Sequence, residues 1–417
     1  MSGNADGMVV RMVHVIVLGE FRADRVVLPL RRGGAEVTVL GSTDLASFLG
    51  PGVACAQFPA VLDEDALLRL LAVCRADIAL PNMGCHGQEQ FLPVYARAAP
   101  RVREAGCRMP VHGETFALLA SDKVVLHRLA GERGWPVPRG VVCEEAGGLE
   151  AAAEQLGFPV LVKEARSEFS SGRHYVENGV CLGRVGAEVT YPVLVQEAAA
   201  GEEYAVEFFS GSSSTVAWPV ASLGRLGSDC DPGRRVRVAP VALPALARGE
   251  LAVMVADMVK AFGPWGPWQI DFAVTDDGRL RLIEVNGRLS GVSNMSWAST
   301  GVDPHVAFAR AALGRNPRSP KADRVALELP VPNGALLPTA PDGTDLLCFP
   351  GSPFNPAPCV RGFHRPVFMV PGRLEDAARA WLRALSPGTL LDGAADEAIS
   401  QLDRGLHALR QGGLAPS

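Results

Sequence analysis

The chain has 417 residues, 48% of them hydrophobic and 20% charged, with a net charge of −5. That apolar content excludes global disorder, and the length exceeds one ordinary core, so roughly two to four domains are expected. The mildly acidic balance argues against a protein built to coat nucleic acid or an anionic membrane.

No apolar run approaches the roughly 18 residues of a membrane span. The opening Met1-Ser-Gly-Asn-Ala-Asp6 lacks the basic-then-apolar pattern of a signal peptide. A soluble, cytoplasmic protein is expected. The nine cysteines are scattered, without a CxxC pair, so neither a disulfide framework nor a zinc site is indicated. The basic residues comprise 36 arginines and only four lysines: Lys123, Lys163, Lys260 and Lys321.

The first 110 residues alternate between strand and helix patterns. His14-Val-Ile-Val-Leu18 reads as a strand, Arg25 to Arg32 as a helix, and Glu36-Val-Thr-Val-Leu40 as a second strand. Asp63 to Cys74 has helical spacing, and Asp77-Ile-Ala-Leu80 reads as a buried strand. This is βαβ logic with a parallel sheet. No GxGxxG follows the first strand, so a dinucleotide fingerprint is absent. The loop Asn82-Met-Gly-Cys-His-Gly-Gln88 leaves a strand end, where open α/β sheets place ligands.

Ser121 is expected to cap a helix, with Asp122 and Lys123 in its first turn and its end near Gly134. From Val141 to about Gln196 comes a compact α/β piece. It holds the helix Leu149 to Leu156, the strand Val160-Leu-Val-Lys163, a polar loop and further strands. A larger unit runs from about Glu197 to Leu313. The remainder is rich in Pro and Gly until two last helices, Leu374 to Leu385 and Ala394 to Leu409.

Within the larger unit, Gln269-Ile-Asp-Phe-Ala-Val274 and Leu280-Arg-Leu-Ile-Glu-Val-Asn286 alternate like paired strands. With Asp277-Gly278 as a two-residue turn, Asp271 lies opposite Glu284 and Gln269 opposite Asn286. Ile270, Phe272, Ile283 and Val285 then fill the other face. Two carboxylates directly across a ladder repel. An oxygen set of Asp271, Glu284 and Asn286 suits Mg²⁺ shared with phosphate oxygens, and Arg288 adds an anion-binding fork. A solvated polar face is the alternative. Lys163 ends an apolar strand before the hydroxyl-rich loop Glu164 to Arg173, an arrangement suited to phosphate oxygens. Lys123 starts its own helix, and Gln196-Glu197 ends a strand whose edge can meet a purine.

In this order and spacing, Ser121-Asp-Lys123, Phe158-Pro-Val-Leu-Val-Lys163, Gln196-Glu197 through Glu203, Gln269-Ile-Asp271 and Glu284-Val-Asn-Gly-Arg288 resemble the ATP-grasp superfamily. The resemblance is to the branch of biotin carboxylase and the carbamoyl-phosphate synthetase halves, and spans roughly residues 10 to 315. It implies an α/β architecture of α+β lobes. An N-terminal parallel-sheet domain (1–112) precedes a linker helix and lid lobe (113–196), a catalytic lobe (197–315) and a small α/β cap (316–417).

The same resemblance implies ATP and Mg²⁺ as cofactors. Lys123 and Lys163 would contact phosphates, under a lid loop carrying Ser170, Ser171 and Gly172. Gln196, Glu197 and Ala198 would form the adenine hinge, and Glu203 would hold the ribose. Asp271, Glu284 and Asn286 would bind metal. Arg288, Lys163 and Arg237 would serve catalysis, Arg237 being set against a solvated basic run with Arg234 and Arg235. No lysine follows a methionine, as a biotin-attachment sequence would require, and a glutaminase domain and second synthetase half are missing.

The expectation is therefore a carboxylate–amine ligase acting through an acyl phosphate on small molecules, amino acids foremost. A small-metabolite kinase and a catalytically inactive nucleotide-binding module are the alternatives. Cys85 and His86 are not needed as a dyad. Residues 289–294 are candidates for substrate choice, and His364-Arg365 for reaching the site. The arginine-rich, lysine-poor composition fits a GC-rich coding sequence and a setting in specialised metabolism. No nucleic acid or membrane partner is expected, and a homodimer is compatible with this reading.

Overall fold

The structure, a computed structural model, describes residues 12–41, 45–57, 62–83, 89–167, 172–199, 201–211, 214–226, 231–315, 317–348 and 362–412. Ser170, Ser171, Cys85, His86 and residues 227–230 lie outside the described residues.

Four parallel strands open the chain: β1 (His14–Leu18), β2 (Glu36–Gly41), β3 (Ala54–Gln57) and β4 (Ile78–Pro81), in the order β3-β2-β1-β4. The run Val15 to Leu18 is fully buried, as a central parallel strand covered by helices on both faces must be. β3 was not expected. Its Ala-Cys-Ala-Gln sequence is short, weakly β-forming and largely exposed at the sheet edge. At the carboxyl ends of the strands, the Asn82 side-chain amide donates to the carbonyls of Phe21 (2.8 Å) and Gly19 (3.2 Å), tying the loop after β4 to the loop after β1.

Two helices follow where the sequence suggested one. Ser121 does not cap. It closes the helix Glu114–Ser121, and its hydroxyl donates back to the Ala117 carbonyl at 2.8 Å. Asp122 is the cap of Lys123–Arg133, its Oδ1 accepting from Val124 N–H (3.0 Å) and Val125 N–H (3.1 Å). A carboxylate at this position satisfies two orphan donors and meets the positive helix end. Lys123 is thereby the first helical residue, and Gly134 ends the helix in the left-handed conformation.

An antiparallel sheet follows: β5 (Gly140–Cys143), β6 (Val160–Glu164), β7 (Arg173–Val176) and β8 (Val193–Glu197), in the order β5-β8-β6-β7. The helices Leu149–Leu156 and Gly179–Glu188 pack on Val160, Val162, Val193 and Val195. Strand alternation puts Leu161, Lys163, Leu194 and Gln196 on the opposite face. The second helix was not foreseen, because Gly179, Gly183 and Gly186 depress its helix propensity.

The largest sheet is built from β9 (Glu202–Ser210), β10 (Thr215–Ala217), β11 (Ala221–Arg225), β12 (Arg237–Ala239), β13 (Gly266–Val274), β14 (Leu280–Asn286) and β15 (Arg324–Glu328). β16 (Val331–Pro332) pairs separately with β18 (Phe363–His364). β17 (Asp345–Leu347) and β19 (Val367–Pro371) complete the sheet in the order β14-β13-β9-β11-β12-β15-β19-β17, with β10 beside β9. Strands from residues 316–417 thus continue the sheet begun by residues 197–315. The helix Ala394–Arg410 is tied beneath it by Arg404, which pairs with Glu202 and donates to the Tyr204 hydroxyl at 3.0 Å.

The hairpin β13–β14 keeps the anticipated pairs, Asp271 opposite Glu284 and Gln269 opposite Asn286. The route to them differs. Thr275 pairs with Arg279 around the three residues Asp276, Asp277 and Gly278, so the turn is one residue longer than a two-residue turn. A β-bulge restores the register: Phe272 pairs with Leu282, Asp271 with Glu284, and Ile283 is the extra residue. Leu282, not Ile283, therefore enters the core. Ile283 lies on the same side as Glu284 and lines a cavity there.

Beneath the hairpin, Trp268 is fully buried. It stacks on Phe208 (centroids 4.3 Å apart), meets Phe116 edge-on at 5.4 Å, and donates its indole N–H to Ser210 Oγ at 2.9 Å. Phe116 belongs to the helix just before Asp122, so this aromatic cluster joins the hairpin to the start of the Lys123 helix. Of the cysteines described, Cys107 and Cys143 are buried, Cys348 is exposed, and none forms a disulfide.

Candidate active site

The face of the large sheet opposite the aromatic cluster is polar at one end. A cavity of about 150 Å³ lies there, lined among others by Arg173, Glu203, Arg237, Asp271, Glu284, Asn286 and Arg288. Residues from six strands and the turn after β14 converge on it. Most are paired within the protein.

Asp271 accepts hydrogen bonds from the side chains of Gln269 and Asn286, the latter at 3.0 Å. Burial, and then the Glu284 charge, push its carboxyl up to about 8. Burial acts on Glu284 in the same direction, but Lys123 overrides it, with Nζ 3.0 Å from Oε1, and the pKa ends below the ordinary carboxylate value. The two acids face each other with opposite titration behaviour, the pattern of a carboxylate pair in need of a shared cation. A hard divalent ion between Asp271, Glu284 and Asn286 would relieve that repulsion, so the residues present fit Mg²⁺. Among the described residues no group of three or more His, Cys, Asp or Glu side chains could hold a metal. Two carboxylates and one amide leave most of a six-oxygen shell to water and phosphate, which is how Mg²⁺ is usually held.

Lys163 is 2% exposed and donates to Gln196 Oε1 at 2.7 Å. Burial first, then Arg173 and Lys123, draw its ammonium down to about 7, against the opposing pull of Glu284 and Glu203. An anion placed beside it would restore its charge. Gln196 in turn donates to the Pro138 carbonyl at 3.3 Å, so it orients Lys163. Glu197 pairs with Arg139 at 2.8 Å, and the Ala198 N–H donates to the Pro159 carbonyl at 3.3 Å. Gly172, at φ 61°, begins the return of the loop after β6. The left-handed backbone there favours glycine, and a Cβ would come within 2.7 Å of the Glu164 carboxyl group and displace that side chain.

Glu203 lines the cavity, with one oxygen 2.7 Å from Arg173 and the other 2.6 Å from Arg235. Burial alone would raise its pKa, but the two guanidiniums hold it below the usual value. Arg237 is buried and Arg235 partly so, while Arg234 is exposed, so the run is not solvated as a whole. Arg237 pairs with Glu328 and donates to the Gly291 carbonyl at 3.2 Å. Burial lowers its pKa to about 10, helped by Arg365, which also lines the cavity. His364 is not among the lining residues.

Arg288 pairs with the buried Glu89 and donates to the Leu289 carbonyl (3.1 Å) and Asn286 Oδ1 (3.3 Å). Between Asn286 and Arg288, the Gly287 carbonyl accepts from His112 Nε2 at 2.9 Å, while His112 Nδ1 accepts from the Trp265 N–H at 3.1 Å. That fixes a neutral imidazole, in keeping with a pKa that burial lowers to about 4. A Cβ on Gly287 would lie 3.0 Å from Leu92 and 3.2 Å from both Ala120 and His112, so the strand end is clamped on every side.

A depressed histidine pKa stabilises the fold above its unfolded value, near 6.5, and that stability is lost as pH falls towards 4. His112→Gln removes this dependence. The destabilisation it causes is expected to shrink by about 1.4 kcal/mol per pH unit below 6.5. Urea midpoints of both proteins at pH 7 and pH 5 check this. A difference that stays constant would refute the neutral imidazole.

The cavity therefore gathers Asp271, Glu284, Asn286, Arg288, Arg237 and Glu203, with Lys123 reaching it through Glu284. Gln196, Glu197 and Ala198 stand back from it, on β8 and the turn beyond. Glu89, His112 and Glu328 were missed. They arrive from segments far away in the chain, and no local spacing marks them.

Residues 230–318 match the family model described as carbamoyl-phosphate synthase L chain, ATP binding domain. The carbamoyl phosphate synthase large chain of Methanospirillum hungatei JF-1 is 25% identical over 314 residues, covering 71% of this chain but 28% of that protein. The chain thus spans little more than a quarter of the length of that relative. The D-alanine–D-alanine ligase of Ectopseudomonas mendocina is 31% identical over 192 residues, or 44% of this chain and 60% of the relative. The L-amino acid ligase of Bacillus licheniformis superposes with a TM-score of 0.67 at 19% identity, covering 89% of this chain and 97% of that one. The biotin carboxylase domain of the Hydrogenobacter thermophilus 2-oxoglutarate carboxylase, solved with MgADP, ADP and bicarbonate, gives 0.68 at 15% identity, over 90% and 91%. At these identities the two structures bear on the fold alone.

Proposed function

We propose that this chain, which belongs to the ATP-grasp superfamily, is an ADP-forming carboxylate–amine ligase. It would join small molecules, amino acids foremost, through an acyl phosphate. The observation that carries this reading is one cavity holding an Asp271–Glu284–Asn286 oxygen set together with Arg288 and Arg237. The D-alanine–D-alanine ligase among its relatives supports amino acids as the substrates.

In this reading Lys123 and Lys163 meet the nucleotide phosphates beneath Ser170, Ser171 and Gly172. Gln196, Glu197 and Ala198 flank the adenine, and Glu203 faces the ribose. Asp271, Glu284 and Asn286 hold Mg²⁺, which supplies charge neutralisation at the transferring phosphoryl group. Arg288 and Arg237 present planar forks to the substrate carboxylate and to the negative charge that develops on it. Three of these cations are already held by a carboxylate, Lys123 by Glu284, Arg288 by Glu89 and Arg237 by Glu328, and Lys163 is held by the Gln196 amide oxygen. Such pairing fixes the donors before substrate arrives, so little reorganisation is left for the reaction. Burial of the cavity floor limits water that would otherwise hydrolyse an activated carboxylate. No helix among the described residues is long and apolar enough to cross a membrane. A cytoplasmic setting in small-molecule biosynthesis fits this chemistry.

The test is a nucleotide assay with Mg²⁺, ATP and pooled amino acids, separating ADP, AMP, phosphate and pyrophosphate, with mass spectrometry for new amides. ADP and phosphate that depend on both a carboxylate and an amine are expected. AMP with pyrophosphate would overturn the acyl phosphate. A stable phosphorylated product in phosphorus NMR would make the protein a kinase.

A further inference from the structure

Among the described residues, two buried acceptor oxygens beside the cavity lack a donor. Gln269 and Glu207 are register partners on β13 and β9, with side chains on the same face. Gln269 is 5% exposed and lines the cavity. Its amide nitrogen donates to Asp271, and its Oε1 has no hydrogen-bond partner. Glu207 is 1% exposed. The Ser293 and Ser296 hydroxyls both act on its carboxylate, Ser293 at Oε1, and among the described residues the other oxygen, Oε2, has no partner in hydrogen-bonding geometry. Ser293 follows directly on Ser290, Gly291 and Val292, all of which line the cavity. The same turn thus borders the cavity and reaches Glu207.

Buried acceptors without donors are disfavoured, and these two stand side by side. What they lack is a compact donor with several N–H bonds and a positive charge. Among the described residues no side chain supplies it. Arg25 is close enough to act on Glu207, but its guanidinium is held by Asp303, at 2.6 and 2.7 Å, and by Asn294 at 2.9 Å. One carboxylate oxygen and one amide oxygen make a poor divalent-metal site, which needs six or more oxygens. They suit an alkylammonium, whose three N–H bonds two such acceptors can share.

We propose that Glu207 and Gln269 bind the ammonium group of the amine substrate. Calling it a substrate rests on the ligase reading; the cation site does not. Residues 289–294 then contribute to substrate choice through Ser293, which holds Glu207 in place.

Thallium(I), similar in size to ammonium and a strong anomalous scatterer, is the probe. Crystals of the full chain soaked in thallium(I) acetate are expected to show an anomalous peak about 3 Å from both Gln269 Oε1 and Glu207 Oε2. Glu207→Gln keeps the shape and the Ser293 contact but removes the charge. It is expected to abolish this peak while other thallium peaks in the same crystals persist. An ordered water with no thallium at that position would overturn the proposal, as would a peak that survives the substitution. In the ligase assay, Glu207→Gln is expected to raise KM for the amine about tenfold or more, with a smaller change in kcat. An unchanged amine KM would also overturn the assignment. Thallium binding without any amide product would remove the ligase reading and leave the cation site. Amide formation without thallium binding would do the reverse.

Discussion

Glu284→Gln is expected to lower substrate-dependent ADP formation by roughly a thousandfold, the scale on which removing one preorganised charge from a phosphoryl-transfer site acts. The substitution keeps the side chain's length and its place opposite Asp271, so the hairpin register should survive. What it removes is the charge that answers Lys123 and would share Mg²⁺ with Asp271. The Mg²⁺ concentration giving half-maximal activity should therefore rise tenfold or more, in parallel with the loss of rate. Steady-state kinetics over a Mg²⁺ series, with a urea denaturation curve to confirm folding, measures both. Turnover within threefold of the parent at ordinary Mg²⁺ would remove Glu284 from the metal set.

Trp268→Ala should destabilise the fold by about 3–5 kcal/mol, the range for emptying a fully buried aromatic site. Three losses coincide: the stack on Phe208, the edge contact with Phe116 and the hydrogen bond to Ser210. Ser210 keeps Thr215 as a partner at 2.8 Å, so the void dominates over an unsatisfied hydroxyl. Because Phe116 lies on the helix that leads into Asp122 and Lys123, activity should fall further than the folded fraction alone accounts for. Urea unfolding followed by circular dichroism gives the first number. A loss below 1 kcal/mol would mean that the cluster repacks. Trp268→Phe, which retains most of the volume, should cost about half as much or less.

The chain's alternation made much of the architecture legible. Val15 to Leu18 reads as a buried parallel strand, and Lys163 as the polar residue ending an apolar run, because burial imposes those patterns locally. The Asp271–Glu284 pairing could be read for the same reason. Where the sequence misled, weak or competing local signals were responsible. Ser121 and Asp122 are both good caps, and only the preceding helix decides that Asp122 takes the role. The helix Gly179–Glu188 carries three glycines and is held by packing on Val176 and its neighbours rather than by propensity. The ladder has the foreseen pairs because an extra turn residue and a bulge at Ile283 offset each other. The partners that hold the site were invisible for a different reason. Glu89 for Arg288, Glu328 for Arg237 and His112 for the Gly287 carbonyl are separated from them by 199, 91 and 175 residues. Only the tertiary fold brings them together.

The bulge at Ile283 has a bearing on how this hairpin tolerates change. It works as a slip joint: beyond it, the pairing of Asp271, Glu284 and Asn286 is held by β9 on one side and the clamped Gly287 on the other, whatever happens at the tip. Deleting one residue from Asp276-Asp277-Gly278 would leave a two-residue turn between Thr275 and Arg279, with the ladder down to Leu282 and the bulge at Ile283 unchanged. Leu282 would keep its place in the core and Ile283 its place at the cavity, and the oxygen donors would stay where they are. The tip is thus open to insertion, deletion or grafted sequence, while the chemistry a few residues away is insulated from it.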